Sequence, residues 1–247
     1  MLQNTFNISS QLTDRLTTAD KYRKLIRLAR KRRYLIPAGY HSIGEYHGSI
    51  YECEWVSPYT KSASNLNADV MIILKDWCPD EHLSGPLVPA LVRHGLDPAL
   101  PTQDMLEKLL NTHFQIHLCD TFCTTLFPFV KPGAFCTTIP EKLLINSALD
   151  FALPQIKAIQ PKLVIAMGLN VYNALAKSKG LPLAETLEEA INNPFQIPLP
   201  SGECSIVYAQ SHIRGEGQKS LAEITMDWIA MKECINLSWA ESIGIND

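Results

Sequence analysis

The chain has 247 residues, 46% of them hydrophobic and 19% charged, with a formal net charge of −3. This is the composition of an ordinary globule with ample core, long enough for one large α/β domain or two small ones. The slight acidic balance argues against a protein that coats nucleic acid nonspecifically, although not against one that grips a few phosphates locally. Seven cysteines without tight pairing point to reduced thiols. No apolar run approaches the length that spans a bilayer. Residues 1–20 are polar and hold no apolar signal region, so a cytoplasmic protein with no membrane partner is expected.

Repeats and low-complexity tracts are absent, and no Gly/Ser linker divides the chain. A single domain over 1–247 is therefore expected, with 1–67 a helical and loop-rich lead-in. Within that lead-in, Lys21, Arg23, Lys24, Arg27, Arg30, Lys31, Arg32 and Arg33 interleave with Leu25, Ile26, Leu28 and Ala29. The stretch reads as a helix with one apolar face. It is either a solvated surface or a phosphate-facing patch, and charge runs usually solvate a face.

Residues 68–74 form a continuous apolar run with Val70, Ile72 and Ile73, as expected of a strand buried on both faces. Pro79 and Gly85-Pro86 mark a loop before a helical stretch over 87–94. A further helix is expected at 103–112, capped by Thr102. Residues 122–127 read as the second strand, closed by Pro128. The apolar spacing from Ile145 to Ile159 predicts a helix over 141–159, kinked or divided by Pro154.

Residues 163–167 read as a third strand. Gly168-Leu169-Asn170 then turns into a helix ending at Gly180, and 204–209 is a fourth strand. An amphipathic helix with Leu221, Ile224, Trp228, Met231 and Ile235 on one side closes the chain. Strands alternating with helices predict a three-layer α/β/α fold around a four-stranded, mostly parallel sheet.

Three segments follow the apolar runs: Leu74-Lys75-Asp76-Trp77, Thr124-Thr125-Leu126-Phe127, and Ser211-His212-Ile213-Arg214-Gly215. Ligands of open parallel sheets sit at the carboxyl ends of the strands. An Asp, a hydroxyl pair and a His delivered there would converge on one pocket, which points to an enzyme.

With Gln160-Pro161-Lys162-Leu163-Val164-Ile165-Ala166-Met167-Gly168, these segments resemble the uracil-DNA glycosylase superfamily over about residues 46–236. The resemblance places Asp76 where several branches carry the Asp of Gly-Gln-Asp-Pro, with the Gly, Gln and Pro all replaced. It places His212 at the His of His-Pro-Ser, with Ile213 in place of Pro.

Breaking an N-glycosidic bond leaves cationic character on the sugar and negative charge on the departing base. A carboxylate below the sugar and a donor at the base oxygen answer those charges. The resemblance assigns these roles to Asp76 and His212. The base must leave the stack to reach them, and Arg214 and Gly215 match the position of the groove-inserting loop.

Many family members have Thr-Asn where this chain has Thr124-Thr125. A hydroxyl cannot reproduce the paired contacts of an amide. Either neighbouring groups read the base, or the substrate is a modified pyrimidine, as in excision from viral DNA by a defending host. Trp77 is expected either to stack on the flipped base or to pack in the core. Gly168 and Asn170 open a helix that suits a phosphate or an ordinary turn. Lys131 meets a phosphate or solvent.

His113, His117, Cys119 and Cys123 have a spacing that only superficially suits zinc, because the segment runs into a strand. Some branches hold an iron–sulfur cluster on four Cys. This chain has none before Cys53 and no close pair, so no cofactor is expected.

The sequence thus reads as a monomeric DNA glycosylase acting on uracil or a modified cytosine. Two alternatives remain, a catalytically silent DNA-binding protein on the same fold and a small-nucleoside hydrolase.

Overall fold

The structure, a computed structural model, describes residues 16–97, 102–211 and 219–243. The basic segment forms α1 (Thr18–Tyr34), opened by the Thr17 hydroxyl, which accepts from the Asp20 N–H. Its buried stripe is Lys21, Leu25, Ala29 and Arg32, so two of its cations are interior rather than solvated. The Lys21 ammonium donates to the Leu66 and Ile159 carbonyls at 2.9 Å each. Arg32 ion-pairs with Glu52. Long cationic stems can extend an apolar stripe when their heads find acceptors, which the charge run in the sequence does not disclose. Three short 3₁₀ turns, Ile43–Glu45, His47–Ser49 and Pro58–Lys61, then lead into the sheet.

Strands β1 (Val70–Leu74), β2 (Phe122–Thr125) and β3 (Leu163–Met167) are buried throughout, β1 and β3 as aliphatic runs covered on both faces and β2 as Phe-Cys-Thr-Thr. Between β1 and β2 lie α2 (Asp80–Leu83), α3 (Pro89–His94) and α4 (Thr102–Phe114). Thr102 is the first residue of α4 rather than its cap. Between β2 and β3 run α5 (Glu141–Ser147), a π-turn (Ala148–Ala152) and α6 (Leu153–Ile159). The interruption expected at Pro154 takes the form of this π-turn. The Leu153 N–H reaches back five residues to the Ala148 carbonyl, and Pro154 falls in the first turn of α6, where no N–H is required.

After β3 come α7 (Leu169–Ser178), α8 (Leu187–Asn192), β4 (Phe195–Pro198), β5 (Cys204–Gln210) and α9 (Leu221–Ile243). The sheet has five strands, not the four expected, in the order β2-β1-β3-β5-β4. All neighbours are parallel except β4, which joins the edge antiparallel to β5.

Register fixes the layers. Thr124 pairs with Ile73, and Ile73 with Ala166, whereas Gln210 pairs with Met167, one residue further. Thr124 and Gln210 therefore face opposite sides. Thr124 meets Gln155 of α6, and Gln210 meets Asp227 of α9. Helices thus cover both faces.

From β1 the chain moves outward to β2, whereas from β3 it moves the other way to β5. The strand order reverses between β1 and β3, and their carboxyl ends, at Asp76 and Gly168, flank the crevice where open α/β sheets bind ligands. No helix among the described residues is long and apolar enough to cross a membrane.

Candidate functional site

Pairing of β1 with the chain after β2 continues past the strand ends. The Leu126 N–H donates to the Leu74 carbonyl at 2.7 Å, and the Phe127 N–H to Lys75 at 2.9 Å. Asp76 leaves the sheet at the last of these rungs. The chain after Phe127 is then held by a two-way bridge between His41 and Val130, with bonds of 3.0 and 2.9 Å. The next residue, Lys131, gives its carbonyl to the Asp80 N–H at 2.9 Å.

Its ammonium lies 2.6 Å from Asp76 Oδ2 and donates to the Phe135 carbonyl at 2.6 Å. The Lys131 side chain is 2% exposed and that of Asp76 is 15%. Lys131, expected at a phosphate or in solvent, is thus turned inward onto the candidate catalytic carboxylate. A buried ammonium needs such a partner, because an unpaired one is too costly to hold.

The two threonines do not converge. Adjacent residues of a strand face opposite sides. The Thr124 hydroxyl donates to Gln155 Oε1 at 3.1 Å, and Gln155 donates to the Phe151 carbonyl. That is a closed core pair, away from any base. Thr125 shares its row with Leu74 on the other face and is fully buried, and its hydroxyl has no hydrogen-bond partner among the described residues.

Trp77 takes the core option. It is 5% exposed, donates its indole N–H to the Gly95 carbonyl at 3.0 Å, and meets Tyr51 edge-on. Gly95 can take no side chain: its φ is +68°, and a Cβ would lie 1.8 Å from the Pro58 carbonyl oxygen.

The aromatic presented beside the ion pair is instead Phe135, which the sequence reading passed over. Its carbonyl holds Lys131, while its ring is 49% exposed and lies edge-on to His82. His82 in turn faces Asp97 Oδ2 at 3.3 Å. A small cleft lined by Tyr59, Leu74, Asp97, Gln103 and Cys123 opens under α4.

Burial pushes the Cys123 thiol up to about 12. Burial, then Asp97 and Asp76, raises Cys78 still further. Burial likewise raises the Tyr59 phenol, with Cys78, Cys123, Asp76 and Asp97 adding to it. Thiols held protonated are poor nucleophiles, so neither cysteine is a nucleophile candidate at this edge, where the carboxyl groups are those of Asp76 and Asp97.

Across the crevice, the Gly168 N–H donates to the Gln210 carbonyl at 2.7 Å. With φ at +96°, Gly168 turns directly into α7, whose second residue, Asn170, is exposed. Free N–H groups of that first turn face the same edge. Ser211, the last described residue beyond β5, is 3% exposed, and its hydroxyl has no hydrogen-bond partner among the described residues. His212, Arg214 and Gly215 lie outside the described residues.

The four residues with zinc-like spacing are dispersed. His113 packs on Trp228, His117 pairs with Glu107, Cys119 is exposed and Cys123 is buried in β2. No group of three potential metal ligands forms among the described residues.

A scan against protein-family models finds no match for this chain, and a search of curated proteins finds none either. The site's chemistry therefore rests on its own geometry.

Proposed function

We propose that the chain is a DNA glycosylase that hydrolyses the bond between a pyrimidine-type base and deoxyribose, leaving an abasic site. The observation that carries this reading is the Asp76–Lys131 pair, a carboxylate held at 2.6 Å by a buried ammonium beside the crevice where the strand order reverses.

As the glycosidic bond lengthens, its electron pair leaves with the base and positive charge grows on the sugar. Asp76 stabilises that charge and receives the proton of the water that adds to the sugar carbon. Lys131 holds the carboxylate in place at 2.6 Å. In this reading His212 donates toward the base oxygen, Phe135 stacks on the extruded base, and Asn170 and the first turn of α7 receive a phosphate.

The helix layers on both faces of a parallel sheet support a uracil-DNA glycosylase-like α/β/α architecture, with β4 an added edge. The protein acts as a cytoplasmic monomer without a cofactor. With a hydroxyl in place of the family's Asn, a modified cytosine is as good a substrate as uracil.

Two observations favour the second reading, a catalytically silent DNA-binding protein. Lys131 already occupies an oxygen of Asp76, and the Thr125 hydroxyl is enclosed.

The test is incubation with two duplexes, one carrying uracil and one carrying glucosylated hydroxymethylcytosine. Abasic sites are scored by alkaline strand cleavage, with Asp76→Asn as control. Cleavage of either duplex that the substitution abolishes supports the enzyme and names its base. Binding without cleavage of either supports the silent protein.

A further inference from the structure

We propose that the outward face of α1 is a phosphate-binding surface that seats the DNA duplex flanking the target base. Eight cations against the single Asp20 give α1 a formal charge of +7, so the remainder of the chain carries −10 to reach the overall −3. Such segregation is an electrostatic signal that the whole-chain charge hides.

The structure sorts these cations by use. Lys21 and Arg32 are buried and bound to the body of the protein. Lys31 pairs with Asp150, and Arg33 lies 3.6 Å from Glu52. Arg23 reaches Asp20 and the Ala19 carbonyl, both of its own helix. Lys24, Arg27 and Arg30 are exposed and make no ion pair with any described residue.

At 100° per residue, Arg23, Arg27 and Arg30 lie opposite the buried stripe of Leu25, Ala29 and Arg32. Tyr34, 85% exposed, extends the same row. The three arginines span about 10 Å along the helix axis, close to the axial rise of three nucleotides in one strand.

The helix is also correctly aimed. Its first turn touches Ile159 at the end of α6, next to the amino end of β3, through Lys21. Its last turns touch Asp150 and Phe151 through Lys31. Phe151 packs on Phe129 of the loop that carries Lys131. The basic row therefore climbs toward the edge that holds Asp76, so a duplex with one base over Asp76 has neighbouring phosphates within reach of it.

A membrane is the poorer occupant. A helix that lies in a bilayer surface turns its apolar face outward, whereas Leu25 and Ala29 are sealed in the interior.

The proposal takes its choice of polyanion from the glycosylase reading, but its test involves no excision. Binding of the full chain to an unmodified duplex is measured by fluorescence anisotropy between about 50 and 200 mM salt. A triple variant, Arg23→Gln, Arg27→Gln and Arg30→Gln, is compared with an equal charge loss at exposed lysines of α4 and the end of α7, Lys108→Gln, Lys177→Gln and Lys179→Gln. Melting curves confirm that both are folded.

The α1 variant is expected to lower the slope of log affinity on log salt by about 3 in magnitude, at about 0.9 per lost phosphate contact. The control should leave the slope unchanged. Equal slopes for the two variants, an α1 variant matching wild type, or no duplex binding at about 50 mM salt each overturn the proposal. Stripe-dependent binding without excision of any base would overturn the glycosylase and keep the surface.

Discussion

The two ends of the sheet carry the same pair of residue types in opposite circumstances. At the amino end, Lys162 and Asp69 meet at 3.3 Å with side chains 56% and 64% exposed. At the carboxyl end, Lys131 and Asp76 meet at 2.6 Å with 2% and 15% exposed. Water screens the first pair, so it adds little to stability. The second has been taken out of water at a cost that its own attraction hardly offsets. A protein under selection for stability alone has cheaper ways to fill that space with apolar side chains. The contrast marks the carboxyl end as the place where charge is kept for use.

The comparison breaks if the two pairs respond alike to the same deletion. Lys131→Met should lower the unfolding free energy by about 3 kcal/mol by stranding Asp76 in a half-buried site. Lys162→Met should change it by less than about 0.5 kcal/mol. Denaturant melts give both values. Adding Asp76→Asn to Lys131→Met should cost less than the sum of the two single changes, because each alone leaves an unpaired charge.

The two faces of β2 sharpen the same logic without charge. Thr124→Val leaves Gln155 without its donor and should destabilise by about 1–3 kcal/mol. Thr125→Val removes a hydroxyl that bonds none of the described residues and should fall within about 0.5 kcal/mol of wild type. The same melts would reverse this account if the Thr125 change proved the costlier.

At the rim, Phe135→Ala should leave stability unchanged while weakening binding to DNA that carries the target base by about 1–3 kcal/mol. An unaltered affinity would remove Phe135 from the site.

The smallest effect is one of pH. Burial against Trp228, with Lys232 adding to it, lowers the affinity of His113 for a proton below its ordinary value. The unfolded chain then binds more protons than the folded one just below the ordinary histidine range. Stability is fully present above that range and falls as the pH drops through it toward the folded value. Melting temperature should decline from about pH 7.5 to 5.5, and less so in His113→Gln.

Much of this architecture was legible because burial on both faces writes a strand as an unbroken apolar run. Val70–Leu74 and Leu163–Met167 stand out for that reason. Strand β4 does not, since it is an edge strand of four residues that alternates in exposure and ends in Pro198. The position of Asp76 follows from its place just beyond β1. Its partner does not, because Lys131 lies far along the chain in a loop that the His41–Val130 bridge and the Asp80 N–H to Lys131 carbonyl bond hold in place.

The same bridge makes residues around His41, expected as lead-in, a wall of the site. Thr124 and Thr125 look like a pair in the sequence, but strand parity separates them. Trp77 was open between stacking and core, and only the Gly95 carbonyl decides it. In α1 the apolar face was visible, while the burial of Lys21 and Arg32 depends on carbonyls and a carboxylate from distant segments.

The most direct test of the buried pair as the reactive centre is the single-turnover rate of base excision by Lys131→Met and Lys162→Met, measured well below their melting temperatures. The account predicts a loss of about 100-fold or more for Lys131→Met, the scale of a displaced catalytic acid–base group, and a wild-type rate for Lys162→Met. Wild-type rates from both variants would contradict it.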